Sequence, residues 1–303
     1  MPKRSFLLTL KKTVFFTLLF TEMFPSARSQ EWGYYRSPGK PDKESIINFD
    51  GNPYYRYHDP RKPYSFKWCD ESKVIRFEVH PGDDQSWVGG GHHAPTNMER
   101  AEIFSRTDGE HRNNHANFSK DYWLSFNFLI EPGPVTFQDP IILQFHSTDD
   151  RGDVPSNPPL QFRLRKDRLA VMTVADPEKV NKKPTDYPPE IRIPGHIWTI
   201  QRFITPKPII RNTWYNVVVR ARFNPIRGRL DTWLDGKKVT SGTIPMGHND
   251  DVGPYLQFGI YRYKSPENLA IRYSAVEHGT NSLLKRVKHP VPTKNLSLSP
   301  ACT

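Results

Sequence analysis

Three short stretches of the 303-residue chain place side chains that donate, accept or titrate where solvent-facing strands usually carry Lys, Glu or Thr. They are Glu99-Arg100-Ala101-Glu102-Ile103-Phe104, Ile141-Ile142-Leu143-Gln144-Phe145-His146 and Tyr255-Leu256-Gln257-Phe258-Gly259-Ile260-Tyr261-Arg262-Tyr263. Residues two apart in a strand share a face. Arg100 and Glu102 then stand together with Ala101 and Ile103 behind them. Gln144 and His146 oppose an apolar set of Ile141, Leu143 and Phe145, and Tyr255, Gln257, Tyr261 and Tyr263 oppose Leu256, Phe258 and Ile260. By residue type, His146 and Tyr261 can move a proton, and Gln144 and Arg100 can donate to an anion. Glu102 reads as the partner that orients Arg100. A tyrosine hydroxyl titrates near pH ~10 when unperturbed, so Tyr261 as a base needs a cation nearby. Arg100 or Arg262 could supply it, although a regular strand puts Arg262 on the opposite face.

The elements that must position these groups are strands. From Lys73 onward, short runs with period-two alternation are bounded by Gly, Pro, Asn and Asp clusters. They predict strands near 74–79, 99–104, 122–130, 141–146, 160–164, 169–173, 214–223, 229–234, 255–263 and 270–276. Helical periodicity is almost absent, so an apolar sheet face must be covered by a second sheet. The fold class is therefore all-β, two packed antiparallel sheets forming a sandwich or jelly-roll. Asp235-Gly236 predicts a hairpin between 229–234 and 237–239. The proline-rich stretch 176–212 reads as an excursion over the sheet, a groove wall carrying Trp198. Residues 30–70 read as an irregular lead-in.

Lys3, Arg4, Lys11 and Lys12 precede an apolar run of about a dozen residues, and Ala27 and Ser29 follow, the layout of a secretory signal peptide over 1–29. The run is too short to span a bilayer, which takes roughly 20 residues, so the mature protein is expected to have no membrane span and to be secreted or periplasmic. One domain over 30–284 and a basic, proline-containing tail over 285–303 complete the organisation. The formal charge of +11 falls to +7 without the segment's five basic and one acidic residues, which suits a polyanionic partner. Without a basic helix, nucleic acid is not expected. Cys69 and Cys302 have no metal-ligand spacing, and both a disulfide and two thiols fit. The Gly89-Gly90-Gly91-His92-His93 loop could close over a ligand. Asn249, Asp250 and Asp251 form an oxygen-rich turn that could hold Ca2+ or be a plain turn. No cofactor is required otherwise, and the protein is expected as a monomer.

In order and strand placement, Arg100-x-Glu102, Gln144-Phe145-His146 and Tyr255-x-Gln257-x-Gly259-x-Tyr261 resemble the signature strands of the β-jelly-roll polysaccharide lyases. That superfamily includes alginate lyases, glucuronan lyases and heparin lyase I. The stretch from Trp214 through Trp233-Leu234-Asp235-Gly236 to Arg262 is most similar to the heparin-lyase-I and glucuronan-lyase branch. The resemblance implies a concanavalin-like jelly-roll with a concave groove and β-elimination on a uronic-acid-containing anionic polysaccharide, with glucuronan or a glycosaminoglycan in view. Tyr261 would protonate the leaving oxygen, and His146 or Tyr261 itself would take the C5 proton. Glu102, Gln257, Tyr255, Tyr263, His92, His93 and Trp198 would bind substrate. Gln257 stands where the alginate-lyase pattern has Lys, and Arg163 or Arg165, on one face with Gln161, would restore that charge. The alternative is a non-catalytic, lectin-like jelly-roll with Trp87, Trp123, Trp198 and Tyr263 as stacking platforms. A glycoside hydrolase would need two carboxylates flanking the bond, and no strand displays such a pair.

Overall fold

Along Tyr122–Ile130 every second side chain, Tyr122, Leu124, Phe126, Phe128 and Ile130, enters one apolar core. That period-two pattern, repeated strand after strand, sets the architecture. The structure, a computed structural model, describes residues 46–49, 52–58, 62–69, 72–83, 87–88, 91–92, 97–105, 116–118, 120–136, 138–153, 157–180 and 197–293, all within the unit Arg36–Thr303.

The strands are β1 (Ile46–Phe49), β2 (Asn52–His58), β3 (Phe66–Cys69), β4 (Val74–Val79), β5 (Trp87–Val88), β6 (Gly91–His92), β7 (Met98–Phe104), β8 (Tyr122–Ile130) and β9 (Ile141–His146). They continue as β10 (Leu160–Arg165), β11 (Arg168–Asp176), β12 (Ile197–Ile204), β13 (Tyr215–Arg222), β14 (Arg229–Leu234), β15 (Lys237–Thr243), β16 (Gly247–His248), β17 (Tyr255–Tyr263) and β18 (Leu269–Gly279), followed by helix α1 (Lys285–Lys288). One sheet runs β12-β11-β10-β9-β17-β7-β2-β5-β6, with β1 on β2 and β16 on β11; the other runs β15-β14-β13-β8-β18-β4-β3. Apart from a short parallel contact of β16 with β11, the pairing is antiparallel. Phe77, Phe126, Phe145, Phe162, Phe223, Phe258 and Tyr273 fill the space between the sheets. The all-β jelly-roll expectation holds.

Three stretches differ from the sequence expectation. The lead-in contributes β1 and β2, and β2 pairs directly with β7. Its Tyr54, fully buried, meets Phe258 edge-on at 5.5 Å, so an aromatic anchor overrides an irregular-looking, proline-containing sequence. The proline-rich excursion ends in β12, an edge strand, where proline is tolerated on either side. The basic, proline-containing tail, for which no element was expected, opens with α1, whose Val287 packs with Leu283 on Trp123, Val218 and Trp233. The Asp235-Gly236 turn forms as expected, with φ of 46° and 75°. Cys69 is disulfide-bonded; Cys302 and the segment 1–29 lie outside the described residues.

The alternation also breaks once where it matters. Against β10, β9 advances two residues, from Leu143 to Ile141, while β10 advances one, from Phe162 to Arg163. At this bulge Ile142, not Ile141, joins Leu143 and Phe145 in the core, which corrects the regular alternation expected for that strand. The phenolic oxygen of Tyr273 lies 2.6 Å from the Ile142 carbonyl and 2.9 Å from that of Gly259. The core thus donates a hydroxyl where the β9–β17 register shifts between Phe258 and Tyr261.

In the same core Tyr122 Oη and His278 Nδ1 are 2.5 Å apart, and burial pushes the His278 pKa down to about 4. The folded protein refuses a proton that the unfolded chain accepts below about 6.5. This contribution to stability is full above pH ~6.5 and is lost as pH falls toward 4, by up to ~3 kcal/mol. Thermal unfolding across pH 4–7 is expected to show a smaller acid-side loss in His278→Gln than in the wild type.

Candidate active site

The register lines up the sequence-selected side chains in two rows across the larger sheet. In one, Gln161 on β10 faces Gln144 on β9, which faces Gln257 on β17, which faces Phe104 on β7. In the other, Arg163 faces Ile141, which faces Tyr261, which faces Arg100. His146 pairs with Tyr255 beyond the glutamine row, and their rings stack at 5.4 Å. His146 and Tyr261 therefore stand on opposite sides of the glutamine row, separated along the strands.

Glu102 organises the floor between them. Its side chain is 1% exposed, yet it accepts three hydrogen bonds: from Arg100 Nε at 2.7 Å, Gln144 Nε2 at 2.9 Å and Gln257 Nε2 at 2.9 Å. The sequence pairs Glu102 with Arg100 and also places it among the substrate contacts; its bonds to Gln144 and Gln257 are not legible there, because their approach depends on which strands are neighbours. Since a carboxylate only accepts, both amides must turn their nitrogens toward it. The Oε1 of Gln144 is then left buried without a partner among the described residues. An unfilled buried acceptor costs about 1–3 kcal/mol.

Close strand approach makes this possible. Gly259 lies opposite Glu102 with φ +140°, and a Cβ there would come 2.2 Å from the Ala101 carbonyl oxygen and 2.8 Å from Glu102 Cα. Only glycine fits. Farther along β17 the Arg100 guanidinium stacks over the Tyr261 ring, 4.0 Å from its centroid. Arg262, the other cation considered for Tyr261, is buried behind the sheet and donates to Glu99 at 2.7 Å. His146 Nδ1 donates to the Ser147 carbonyl at 2.8 Å, so in the neutral ring Nε2 carries the lone pair.

The remaining expected residues divide. Arg163 Nε donates to Gln161 Oε1 at 2.6 Å beside the glutamine row, whereas Arg165 is held farther out by Asp139 and Gln201. Tyr263 is 58% exposed at the end of β17. His92 and Trp198 lie in β6 and β12, but their side chains, and all of His93, fall outside the described residues. Trp123 does not line this groove. It stacks on Trp233 on the outer face of the other sheet, which removes it from the set of stacking platforms.

At the end of the groove beyond His146, Asp150, Asp153 and Asp250 each bring an oxygen within 4.8 Å of the others. Burial, then the charges of Asp149, Asp153 and Asp150, push Asp250 up to about 8. An oxygen-only set suits a hard cation such as calcium. Asn249 and Asp251, the expected ligands, are not in this set: Asn249 donates to the Pro177 carbonyl and Asp251 pairs with Lys179, because the turn points its middle residue inward. The backbone N–H of Asp251 donates to Asp150 at 3.1 Å, so the cluster ties the loop after His146 to the loop before Tyr255.

The Polysaccharide lyase family model matches residues 66–281. The chain belongs to that family. It is an enzyme, a polysaccharide lyase. Among solved structures, an endo-β-1,4-glucuronan lyase from the fungus Trichoderma reesei is similar at 13% identity, with a TM-score of 0.53, covering 78% of this chain and 91% of that one. Alginate lyase A1-II', of polysaccharide lyase family 7, gives 10% identity and a TM-score of 0.49, covering 76% and 95%. Comparison with curated protein sequences gives no match. The similarity to the glucuronan lyase supports the jelly-roll fold. No helix among the lyase's described residues is long and apolar enough to cross a membrane.

Glu102→Gln tests the organising carboxylate. It removes the charge that Arg100 Nε meets in the buried floor and lets both amides turn. The expected outcome is a loss of about 3 kcal/mol in urea unfolding and a fall of about 100-fold or more in lyase turnover.

Proposed function

We propose that this lyase cleaves a uronic-acid-containing, anionic polysaccharide by β-elimination in the groove between His146 and Tyr261. The observation that carries the reading is the buried Glu102 carboxylate, which aligns Arg100, Gln144 and Gln257 as one donor floor. A carbohydrate-binding surface needs stacking platforms and no such array.

In this reaction the C5–H and C4–O bonds of the uronate break and a C4=C5 double bond forms. The substrate carboxylate takes up charge as the C5 proton leaves. Gln144, with a second N–H beyond the one given to Glu102, and Arg100 stabilise that charge; donors fixed before the reaction cost no reorganisation when it occurs. His146 Nε2 takes the C5 proton and the Tyr261 hydroxyl gives one to the departing glycosidic oxygen; the second route has Tyr261 do both. The Arg100 guanidinium over the Tyr261 ring is the cation that phenolic oxygen needs as its proton moves.

Tyr255, Gln257, Tyr263, Arg163, Arg165, His92, His93 and Trp198 are read as substrate contacts. Arg163, beside the glutamine row, restores the positive charge absent at Gln257. Glucuronan and glycosaminoglycans are the leading substrates. We read residues 1–29 as an export signal, 30–284 as the lyase domain of a secreted or periplasmic monomer, and Asp150, Asp153 and Asp250 as the place for Ca2+ if one binds.

The test is ultraviolet absorbance of unsaturated products with glucuronan, heparin, heparan sulfate, alginate and hyaluronan. One substrate is expected to give a rise that His146→Ala and Tyr261→Phe each lower by about 10²–10⁴-fold. If Tyr261→Phe abolishes turnover and His146→Ala retains it, Tyr261 serves as both base and acid. Binding without any rise favours the lectin-like alternative.

A further inference from the structure

The outer face of the smaller sheet, away from the groove, carries an imbalance of charge that its fold does not explain. In the β13–β14 pair Arg222 lies directly opposite Arg229, and Arg220 lies opposite Asp231. Like charges directly opposite destabilise a sheet. Elsewhere on the same sheet Arg76 lies between Lys67 and Arg272, and there each of the two arginines is met by a carboxylate. Glu131 accepts from both arginines, and Glu78 accepts from Arg76.

Beside β14 that balance fails. Arg220, Arg222, Arg229 and Lys238 share Asp121 and Asp231, four cations on two anions. The anions also lie beneath the cations. The side chains of Asp121 and Asp231 are 19% and 2% exposed, against 30%, 42%, 35% and 48% for the four basic residues in the same order. What this face presents to solvent is positive.

The guanidiniums are also held in place. Arg222 Nε donates to Asp121 at 2.9 Å, and Arg229 Nε donates to Asp231 at 2.7 Å. Burial works against both carboxylates, yet hydrogen bonds from Arg220 and Arg222 hold Asp121 below the usual range, and those from Ser241 and Arg229 do the same for Asp231. The Nε edges are anchored. Both terminal amino groups of Arg229 and one of Arg222 have no acceptor among the described residues. Lys238 lies over the Trp233 ring at 5.0 Å, and α1 adds exposed Lys285 and Lys288 beside the Trp123–Trp233 stack. Pre-aligned forks of this kind match carboxylate and sulfate groups.

We infer that this convex face is a second binding site for anionic polysaccharide, centred on Arg222, Arg229 and Lys238, which holds chain segments remote from the one being cleaved. The inference rests on the reading of the substrate as a polyanion, but its test does not depend on turnover. The spread of the cations over two strands fits a repeating anion, because each added charge of the ligand meets another fixed donor.

The experiment uses the full chain with Tyr261→Phe as background, so that bound glycan is not consumed. Arg222→Gln with Lys238→Gln removes two charges and leaves Asp121 with Arg220 and Asp231 with Arg229. Dissociation constants for long-chain alginate, glucuronan and heparin at 50 mM salt are expected to rise about fivefold or more, with elution at lower salt. Alginate and glucuronan against heparin separates carboxylate from sulfate recognition. Arg222→Lys with Lys238→Arg is expected to retain binding, and thermal unfolding confirms that each variant is folded. In the active chain the Gln pair is expected to leave kcat/KM on a uronate tetrasaccharide unchanged and to lower it on long chains. Unchanged affinity for all three polymers in the folded Gln variant would overturn the inference, whether or not elimination is detected. If elimination is absent while the affinity falls, the reaction is contradicted and the convex site stands.

Discussion

A carboxylate shut away from water must be met by donors, and Glu102 is met by three. Leaving a buried charge uncompensated would cost several kcal/mol, so Arg100, Gln144 and Gln257 are tied to it. They come from three adjacent strands, β7, β9 and β17. The neighbour order of the sheet and the approach at Gly259 are thus bound to one interaction. The same interaction fixes which way each amide points, and through Arg100 it sets a guanidinium on Tyr261. The groove floor is positioned before any ligand arrives.

Support for this arrangement comes from behind the sheet. The β9 bulge turns Ile142 into the core and leaves Ile141 facing Tyr261 and Arg163. Tyr273, fully buried among Phe77, Phe126 and Phe258, supplies its hydroxyl to the two carbonyls near the irregularity. Burial, then the charge of Glu102, pushes the Tyr273 hydroxyl up, so it remains a donor. Core and site are therefore coupled through this ring. At the opposite surface the polar accounting is looser: acids lie buried under a surplus of cations, the reverse of the strict pairing around Glu102.

Much of this was legible in the sequence because period-two alternation reports which face a residue takes. The two-sheet jelly-roll, the shared face of Arg100 with Glu102 and of Gln144 with His146, and the Asp235-Gly236 turn all follow from local pattern. What was not legible depends on partners distant in sequence. Nothing within Ile141–His146 announces a bulge. Nothing in the lead-in shows that Tyr54 would meet Phe258, and nothing in the basic tail shows that Val287 would cover a tryptophan pair. The β10–β11 turn, Lys166-Asp167, takes positive φ at both residues without a glycine; the bonds that hold Asp167 come from Thr136 and Arg211. In the Asn249–Asp251 turn the sequence marks the oxygen-rich segment, but the loop after His146 decides that Asp250 points inward.

The most direct measurement of the central claim is a crystal structure of the Tyr261→Phe variant with a bound uronate tetrasaccharide. One uronate carboxylate is expected within hydrogen-bonding distance of Gln144 Nε2 and Arg100, with C5 facing His146 or the position of the missing Tyr261 hydroxyl. A tetrasaccharide bound in the groove with its carboxylates turned away from Gln144 and Arg100 would contradict the account.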